Sequence, residues 1–98
     1  MSEIRFEWDP AKAASNLRKH GVSFEDAQTV FSDERALLLE DPDHSEEEDR
    51  FILLGLSAAM RVLVVVHCYR AKDQVIRIIS ARRATRQERD VYVRRWQL

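Results

Sequence analysis

The chain has few of the residues that interrupt or cross-link a fold. Its 98 residues include two glycines, two prolines and one cysteine. Cys68 alone excludes an intramolecular disulfide, and a reducing cytoplasm is the compartment that we expect. The scarcity of glycine and proline leaves no material for a linker, so residues 1–98 should form a single domain. No apolar run is longer than about five residues, as in 62–66, and a bilayer span needs about 20. We therefore expect no membrane association, and the N-terminus has no charged-then-apolar signal sequence.

Charge is divided unequally between the two halves of the chain. Residues 1–49 hold 5 basic and 14 acidic side chains, whereas residues 50–98 hold 11 basic and 3 acidic ones. The formal net charge of −1 conceals this division. A strongly basic half favours a polyanionic partner, and nucleic acid is the leading candidate.

Local signals predict helices at both ends of the chain and strands between them. Asp9-Pro10 and Ser23 are typical helix starts, and Gly21 between them predicts a helical hairpin. Thr85 and Glu88 fit a capping box at the start of a C-terminal helix. The expected fold is α+β: a helical hairpin on one face of a four-stranded antiparallel sheet, with a short N-terminal strand and a C-terminal helix. The expected strands are 3–8, 35–40, 50–56, 61–69 and 75–80.

Alternation along the strands predicts which side chains share a face of the sheet. Arg50, His67 and Arg77 fall on one face, and an almost wholly apolar set on the other should be covered by the hairpin. The arginines and the histidine form one row if Leu56 pairs with Arg61 and Tyr69 with Val75. Pairing of Glu40 with Arg50 across the acidic loop would add a carboxylate to that row. The expected apolar face holds Phe51, Leu53 and Gly55 with Val62, Val64, Val66 and Cys68, and Ile76, Ile78 and Ser80.

Such a row would suit RNA cleavage without a metal. The reaction needs a base for the 2′-hydroxyl, an acid for the leaving 5′-oxygen and cations for the charge on phosphorus. Glu40 would be the base, His67 the acid, and Arg50 with Arg77 the electrostatic clamp. The competing interpretation is a lattice of surface ion pairs around a partly buried histidine.

Other polar and aromatic side chains have weaker claims to a role. Lys19, Arg82 and Arg83 could bind phosphate, and Tyr92 and Trp96 could stack on bases, although packing of the last helix would also explain the two aromatic residues. The acidic stretch 41–49 matches neither a calcium loop nor a zinc pattern, so we expect no metal and no cofactor.

The order of motifs along the chain resembles the BrnT family of toxins. The match covers nearly the whole chain, and its combination of motifs is more specific than any one of them. It is carried by Phe6-Glu7-Trp8-Asp9, Lys12, Asn16, Lys19-His20-Gly21-Val22, Phe24, Asp43-His44-Ser45, Glu48, Arg50, Gly55, Arg61, Arg77-Ile78-Ile79-Ser80-Ala81-Arg82, Ala84, Glu88 and Tyr92.

The resemblance implies a small RelE-like ribonuclease from a type II toxin–antitoxin module, which blocks translation by cutting RNA. It also implies a BrnA-type antitoxin, a hetero-oligomer with it, and operator DNA bound only through that complex. Related toxins use arginine, lysine and aromatic side chains. Arg61, Arg77 and Arg82 lie in matched motifs, so we expect Arg61 and Arg77 to be catalytic and Arg82 to bind the substrate. Three alternatives stay open: a non-catalytic RNA-binding module, a toxin of the same superfamily that inhibits a protein such as gyrase, and an interaction domain without toxicity.

Overall fold

The structure is a computed structural model that describes residues 4–42 and 49–97. It contains three α-helices and one five-stranded sheet. None of the helices in the described part of the chain is long and apolar enough to cross a membrane. The elements, in chain order, are β1 (Arg5–Glu7), α1 (Pro10–His20), α2 (Phe24–Thr29), a 3₁₀ turn (Val30–Ser32), β2 (Leu37–Glu40), β3 (Phe51–Leu56), β4 (Val62–Arg70), β5 (Val75–Arg83), α3 (Arg86–Arg94) and a second 3₁₀ turn (Arg95–Gln97).

The helix ends follow the local signals in the sequence. The Asp9 side chain caps α1 and Pro10 is its first residue, while Gly21 ends it in the left-handed region at φ 68°. The Ser23 hydroxyl caps α2. Thr85 and the side chain three residues later form the reciprocal capping box of α3. The helical hairpin and the C-terminal helix are thus confirmed.

The sheet has the strand order β1-β5-β4-β3-β2. Strands β2 to β5 pair antiparallel, as expected from their short connections. The short strand β1 instead pairs parallel with β5, at the edge of the sheet opposite β2. The α+β fold is confirmed, and the sheet is mixed rather than wholly antiparallel.

The expected register of the central strands is wrong by one residue. Phe51, not Arg50, lies opposite His67, and Cys68, not His67, lies opposite Arg77. A register shift between Val66 and His67 also separates the two ends of the β4–β5 ladder. Because side chains alternate between faces, this slip puts His67 on the face opposite Arg50 and Arg77. The row Arg50–His67–Arg77 therefore does not exist.

The hairpin covers one face of the sheet. Leu53, Leu63, Val65 and Ile78 pack there against α1 and α2 in the larger core cluster. For β4 the prediction chose the wrong alternate residues. Leu63, Val65 and His67 face the hairpin, and Val62, Val64, Val66 and Cys68 point away from it. On β3 and at the start of β5 the expected face was right. The buried residues from the helices and the turn are Val22, Phe24, Ala27 and Val30.

Helix α3 packs on the opposite face, against one end of the sheet. Tyr92 is the buried residue of this helix, and it contacts Leu54 and Val64 in a second, smaller cluster. Its hydroxyl donates a 2.7 Å hydrogen bond to Asp33. Burial raises the pKa of Asp33, but hydrogen bonds from the Leu56 N–H, the Tyr92 hydroxyl and the Arg35 N–H outweigh it and lower the pKa below its usual value. This carboxylate therefore ties α3 to the sheet.

Candidate functional site on the sheet

Helix α3 packs on the face of the sheet opposite the hairpin. The end of that face away from Tyr92 carries a group of charged side chains. Register places Arg5 beside Val75 and Glu7 beside Arg77 across the β1–β5 pair. Across the β4–β5 pair, Cys68 lies beside Arg77 and Arg70 beside Val75. Residues paired across neighbouring strands point to the same side, so these side chains share one surface. We call this surface the open face and define it by Arg5, Glu7, Arg50, Arg70 and Arg77, with Cys68 and Val75 as its floor.

Glu7 and Arg77 form an ion pair on the open face. The Arg77 guanidinium donates through Nη1 to Oε2 of Glu7, and the two side chains are 29% and 41% exposed, respectively. A carboxylate and a guanidinium that are paired yet partly accessible can both meet a ligand from solvent. This pair therefore offers acceptor and donor groups side by side.

Arg50 joins the same face from the other side of Cys68. It precedes β3 by one residue, and its carbonyl accepts a 2.9 Å hydrogen bond from the Asp41 N–H. Continuing the β3–β4 register by one residue sets Arg50 opposite Cys68. Its Cα is then two strand spacings, about 10 Å, from that of Arg77. The two arginines expected to clamp a phosphate thus do share a row, with Cys68 between them instead of His67.

The floor of the open face is apolar although its rim is charged. Cys68 and Val75 are only 3% and 7% exposed. Arginine side chains can lay their aliphatic stems on such a floor while the charged ends stay in water. The arrangement places arginines above a surface of low polarity, where their interactions with a bound anion are stronger than in bulk water, and Asp49 and Asp73 line the cavity beside Cys68 and Arg70.

His67 lies on the hairpin side and is fully buried. Its ring lies edge-on to Phe31 at 4.8 Å and near Phe51 at 6.2 Å. Its Nδ1 is 3.2 Å from the Val65 carbonyl oxygen, and its Nε2 is 3.1 Å from the Tyr69 hydroxyl. Burial lowers the pKa of His67, despite the backbone hydrogen bond, so the ring is neutral at pH 7. The structure does not bring His67 together with the arginines.

Glu40 is also separated from the arginines. It pairs with Phe51 at the end of β2, which puts its side chain on the hairpin side, where it is exposed. The expected pairing with Arg50 is therefore wrong. Glu40 and His67 do fall in one row, but Phe51 stands between them.

Arg61 holds the hairpin to the turn between β3 and β4. Its Nη2 donates to Asp26 at 3.0 Å and its Nη1 to the Gly21 carbonyl at 3.1 Å. These contacts join α1, α2 and the sheet at the end remote from the open face. In the structure Arg61 therefore holds the hairpin to the sheet.

Arg82 is bound to the first turn of α3. Its two terminal nitrogens donate to the two oxygens of Glu88 at 2.8 and 2.9 Å. The hydrogen bond from Arg82 is the main cause that lowers the pKa of Glu88 to about 2. A bidentate pair of this kind fixes the strand–helix connection.

The other expected substrate-binding residues are dispersed. Lys19 is exposed at the end of α1, and Arg83 is exposed at the end of β5. Tyr92 is 2% exposed and cannot stack on a base, whereas Trp96 is 50% exposed. The Arg35 guanidinium lies 4.4 Å from the Trp96 ring centre, which gives this tryptophan a cation–π partner within the chain.

Glu7, Arg5 and Arg70 belong to the site but were not singled out from the sequence. The sequence signal that could have identified Glu7 was its position in the motif Phe6-Glu7-Trp8-Asp9. Parallel pairing with β5 was not expected, so nothing placed β1 beside Arg77. Within 4–42 and 49–97 no three histidine, cysteine or acidic side chains are grouped to hold a metal ion. Most of the acidic stretch 41–49, including Asp43, His44, Ser45 and Glu48, lies outside the described residues.

Comparisons with known proteins agree with the family expected from the motifs. A family model described as "Ribonuclease toxin, BrnT, of type II toxin-antitoxin system" matches residues 8–88. The chain therefore belongs to the BrnT family of ribonuclease toxins. The crystal structure of the Brucella abortus ribonuclease toxin BrnT has a similar fold, with a TM-score of 0.63 and 22% identity over 85% of this chain and 99% of that one. No curated protein sequence matches significantly.

Proposed function

We propose that this protein is an endoribonuclease toxin that cuts RNA without a metal ion, blocks translation in the cytoplasm and is neutralised by a BrnA-type antitoxin. The observation that carries the proposal is the family match across residues 8–88. The open face supports it, because its arginines can bind the phosphates of an RNA backbone. The five side chains that define it include four arginines.

In this proposal the scissile phosphate binds between Arg50 and Arg77. Each guanidinium presents a planar set of N–H donors that suits phosphate oxygens. The spacing of about 10 Å between their Cα atoms lets two long side chains meet on one phosphate. Donors held in place before the reaction stabilise the extra charge that develops on phosphorus. Arg5 and Arg70 extend the cationic surface towards neighbouring phosphates.

The direct test is cleavage of a 5′-labelled synthetic RNA by the purified protein, with and without EDTA. We expect cleavage in both conditions, with products that end in a 2′,3′-cyclic phosphate and a 5′-hydroxyl. An otherwise identical DNA strand is the control, because it lacks the attacking 2′-hydroxyl. Intact RNA in every condition would refute the ribonuclease, and inhibition by EDTA that added Mg²⁺ reverses would refute the metal-free mechanism.

The antitoxin follows from the type II toxin–antitoxin family rather than from a contact in this chain. We expect a hetero-oligomer in which the antitoxin supplies the contacts to operator DNA. Expression of the toxin alone should arrest growth and protein synthesis, and co-expression of the protein encoded beside it should restore both. Normal growth at a high yield of soluble toxin would contradict this part of the proposal.

A non-catalytic RNA-binding module is the second candidate, and α3 provides the observation in its favour. Arg86, Arg89 and Arg94 are exposed on this helix, and none has a partner within the described residues. A cationic helix of this kind is sufficient to hold a polyanion. Binding of RNA with no cleavage under any condition would select this candidate.

A further inference from the structure

Glu7 is the carboxylate among the five side chains that define the open face, while Asp49 and Asp73 line the cavity beside Cys68 and Arg70. Glu7 reaches the face from β1, where it pairs in register with Arg77. Its Oε2 accepts from Arg77, while its Oε1 has no hydrogen-bond partner among the described residues. With the side chain 41% exposed, this second oxygen can accept a proton from a ligand on the face.

Glu7 also stands at one end of a continuous row. The row runs from Glu7 to Arg77 on β5, to Cys68 on β4 and then to Arg50 beside β3. A phosphate held between the two arginines therefore has a carboxylate beyond one of them, one strand spacing of about 4.8 Å further on. In RNA the 2′-hydroxyl is attached to the ribose next to the scissile phosphate. A carboxylate beside the phosphate is where a base for that hydroxyl is needed.

We propose that Glu7 is the general base of the ribonuclease reaction; this inference rests on the function proposed above. The Glu7 carboxylate takes the proton of the 2′-hydroxyl as the 2′-oxygen forms its bond to phosphorus. The bond from phosphorus to the 5′-oxygen breaks, and that oxygen takes a proton from water. The products are a 2′,3′-cyclic phosphate and a 5′-hydroxyl, and Glu7 returns its proton to solvent. The hydrogen bond from the neighbouring Arg77 keeps the carboxylate oriented between turnovers.

Glu40 is the natural comparison, because the sequence favoured it for this role. It is also a glutamate near the end of a strand, but it lies on the hairpin side of the sheet, where it is exposed, whereas Glu7 is half-buried. The two residues therefore share their chemistry and differ in the face that they occupy. Replacement of each by glutamine changes the same charge and distinguishes the two positions.

The experiment compares Glu7→Gln with Glu40→Gln and the wild type on the labelled RNA. For E7Q we expect kcat to fall about 100- to 10,000-fold, the range for loss of a general base. Its Kd for a non-cleavable RNA with a 2′-deoxy or 2′-methoxy nucleotide at the cleavage site should change by less than about threefold, since glutamine still accepts from Arg77. E40Q should match the wild type in both measurements.

A pH–rate profile distinguishes a base from a residue that only positions Arg77. The wild-type rate should rise with pH along an acidic limb, and this limb should disappear in E7Q. Glu7→Asp should keep the limb at a reduced rate. Thermal unfolding of each variant checks that it is folded.

Two outcomes would overturn the inference while leaving the ribonuclease in place. One is an E7Q variant with a wild-type rate, and the other is an E7Q variant that loses RNA binding and cleavage in parallel with an unchanged pH profile. Failure of the wild type to cleave any RNA would refute the proposed function itself, and the role of Glu7 with it.

Discussion

Asn16 of α1 binds both backbone groups of Ala81 in β5. The Asn16 Oδ1 accepts from the Ala81 N–H at 3.0 Å, and its Nδ2 donates to the Ala81 carbonyl at 2.8 Å. The same Nδ2 donates to the Val22 carbonyl at 2.9 Å. Strand β1 ends at Glu7 and does not extend beside Ala81. The side-chain amide of Asn16 therefore makes the hydrogen bonds that a neighbouring strand would make there. One side chain thus closes the sheet edge and fastens the turn of the hairpin.

We predict that Asn16→Ala lowers the free energy of unfolding by about 2–4 kcal/mol, because it leaves buried backbone groups without partners. Asn16 is only 6% exposed, so water cannot replace the amide without rearrangement. Urea unfolding followed by circular dichroism measures the effect. Gln87→Ala, at an exposed position of α3, is the matched control and should change stability by less than about 0.5 kcal/mol. An Asn16→Ala variant as stable as this control would contradict the role of Asn16 as a strand substitute.

We predict that Arg77→Ala reduces cleavage by an amount that corresponds to about 2–4 kcal/mol of transition-state stabilisation, as loss of a fixed donor to the reacting group does. The ratio of kcat/KM values for the variant and the wild type on the labelled RNA measures it. Arg18→Ala removes the same charge from an exposed position of α1 and should leave cleavage within about twofold of the wild type, since surface charges far from the site are screened. An equal loss in both variants would show a general charge effect and no specific site.

We predict that His67→Phe keeps ribonuclease activity and changes how stability depends on pH. The folded protein holds His67 neutral, with its pKa below the ordinary 6.5, mainly because of burial. The unfolded chain therefore binds more protons near pH 6, so the stability that His67 contributes is present above pH 6.5 and is lost as the pH falls below it. Unfolding at pH 7.5 and 5.5 should show this loss in the wild type and a smaller one in the variant. Loss of cleavage by a folded His67→Phe protein would restore His67 as a catalytic candidate.

We predict that Glu88→Gln makes the protein less sensitive to acid. Hydrogen bonds from Arg82 lower the pKa of Glu88 from 4.5 to about 2 in the folded state. The stabilisation is therefore complete above pH 4.5 and is lost progressively as the pH falls through 4.5 towards 2. Unfolding free energies of the two proteins between pH 6 and 3 should converge as the pH decreases. Asp33, whose pKa is also lowered, is present in both and cancels in the difference. Parallel curves over this range would contradict the Arg82–Glu88 linkage.

Features that depend on neighbouring residues could be predicted from the sequence. The caps at Asp9, Ser23 and Thr85 are local chemistry, and all three form as expected. The resemblance to the BrnT family, which used motifs along the whole chain, is confirmed as well.

The register and the partner of β1 could not be predicted, because both depend on contacts distant in sequence. Turn lengths suggested that Leu56 pairs with Arg61, whereas it pairs with Val62, and one residue is enough to exchange the faces. The shift between Val66 and His67 has no local signal. Arg50 and Arg77 nevertheless share a row as expected, because both of their register errors were one residue in the same direction. The other members of that row, Cys68 and Glu7, were identified from the structure.

The position of β1 affects when the sheet can close during synthesis. Its partner β5 begins at Val75, so the first strand stays without its neighbour until that later segment has been made. Only then do residues from positions 5–7 and 50–77 meet on one surface. Under the function proposed above, a chain that stops before β5 lacks the Glu7–Arg77 pair, and we expect it to be inactive on RNA.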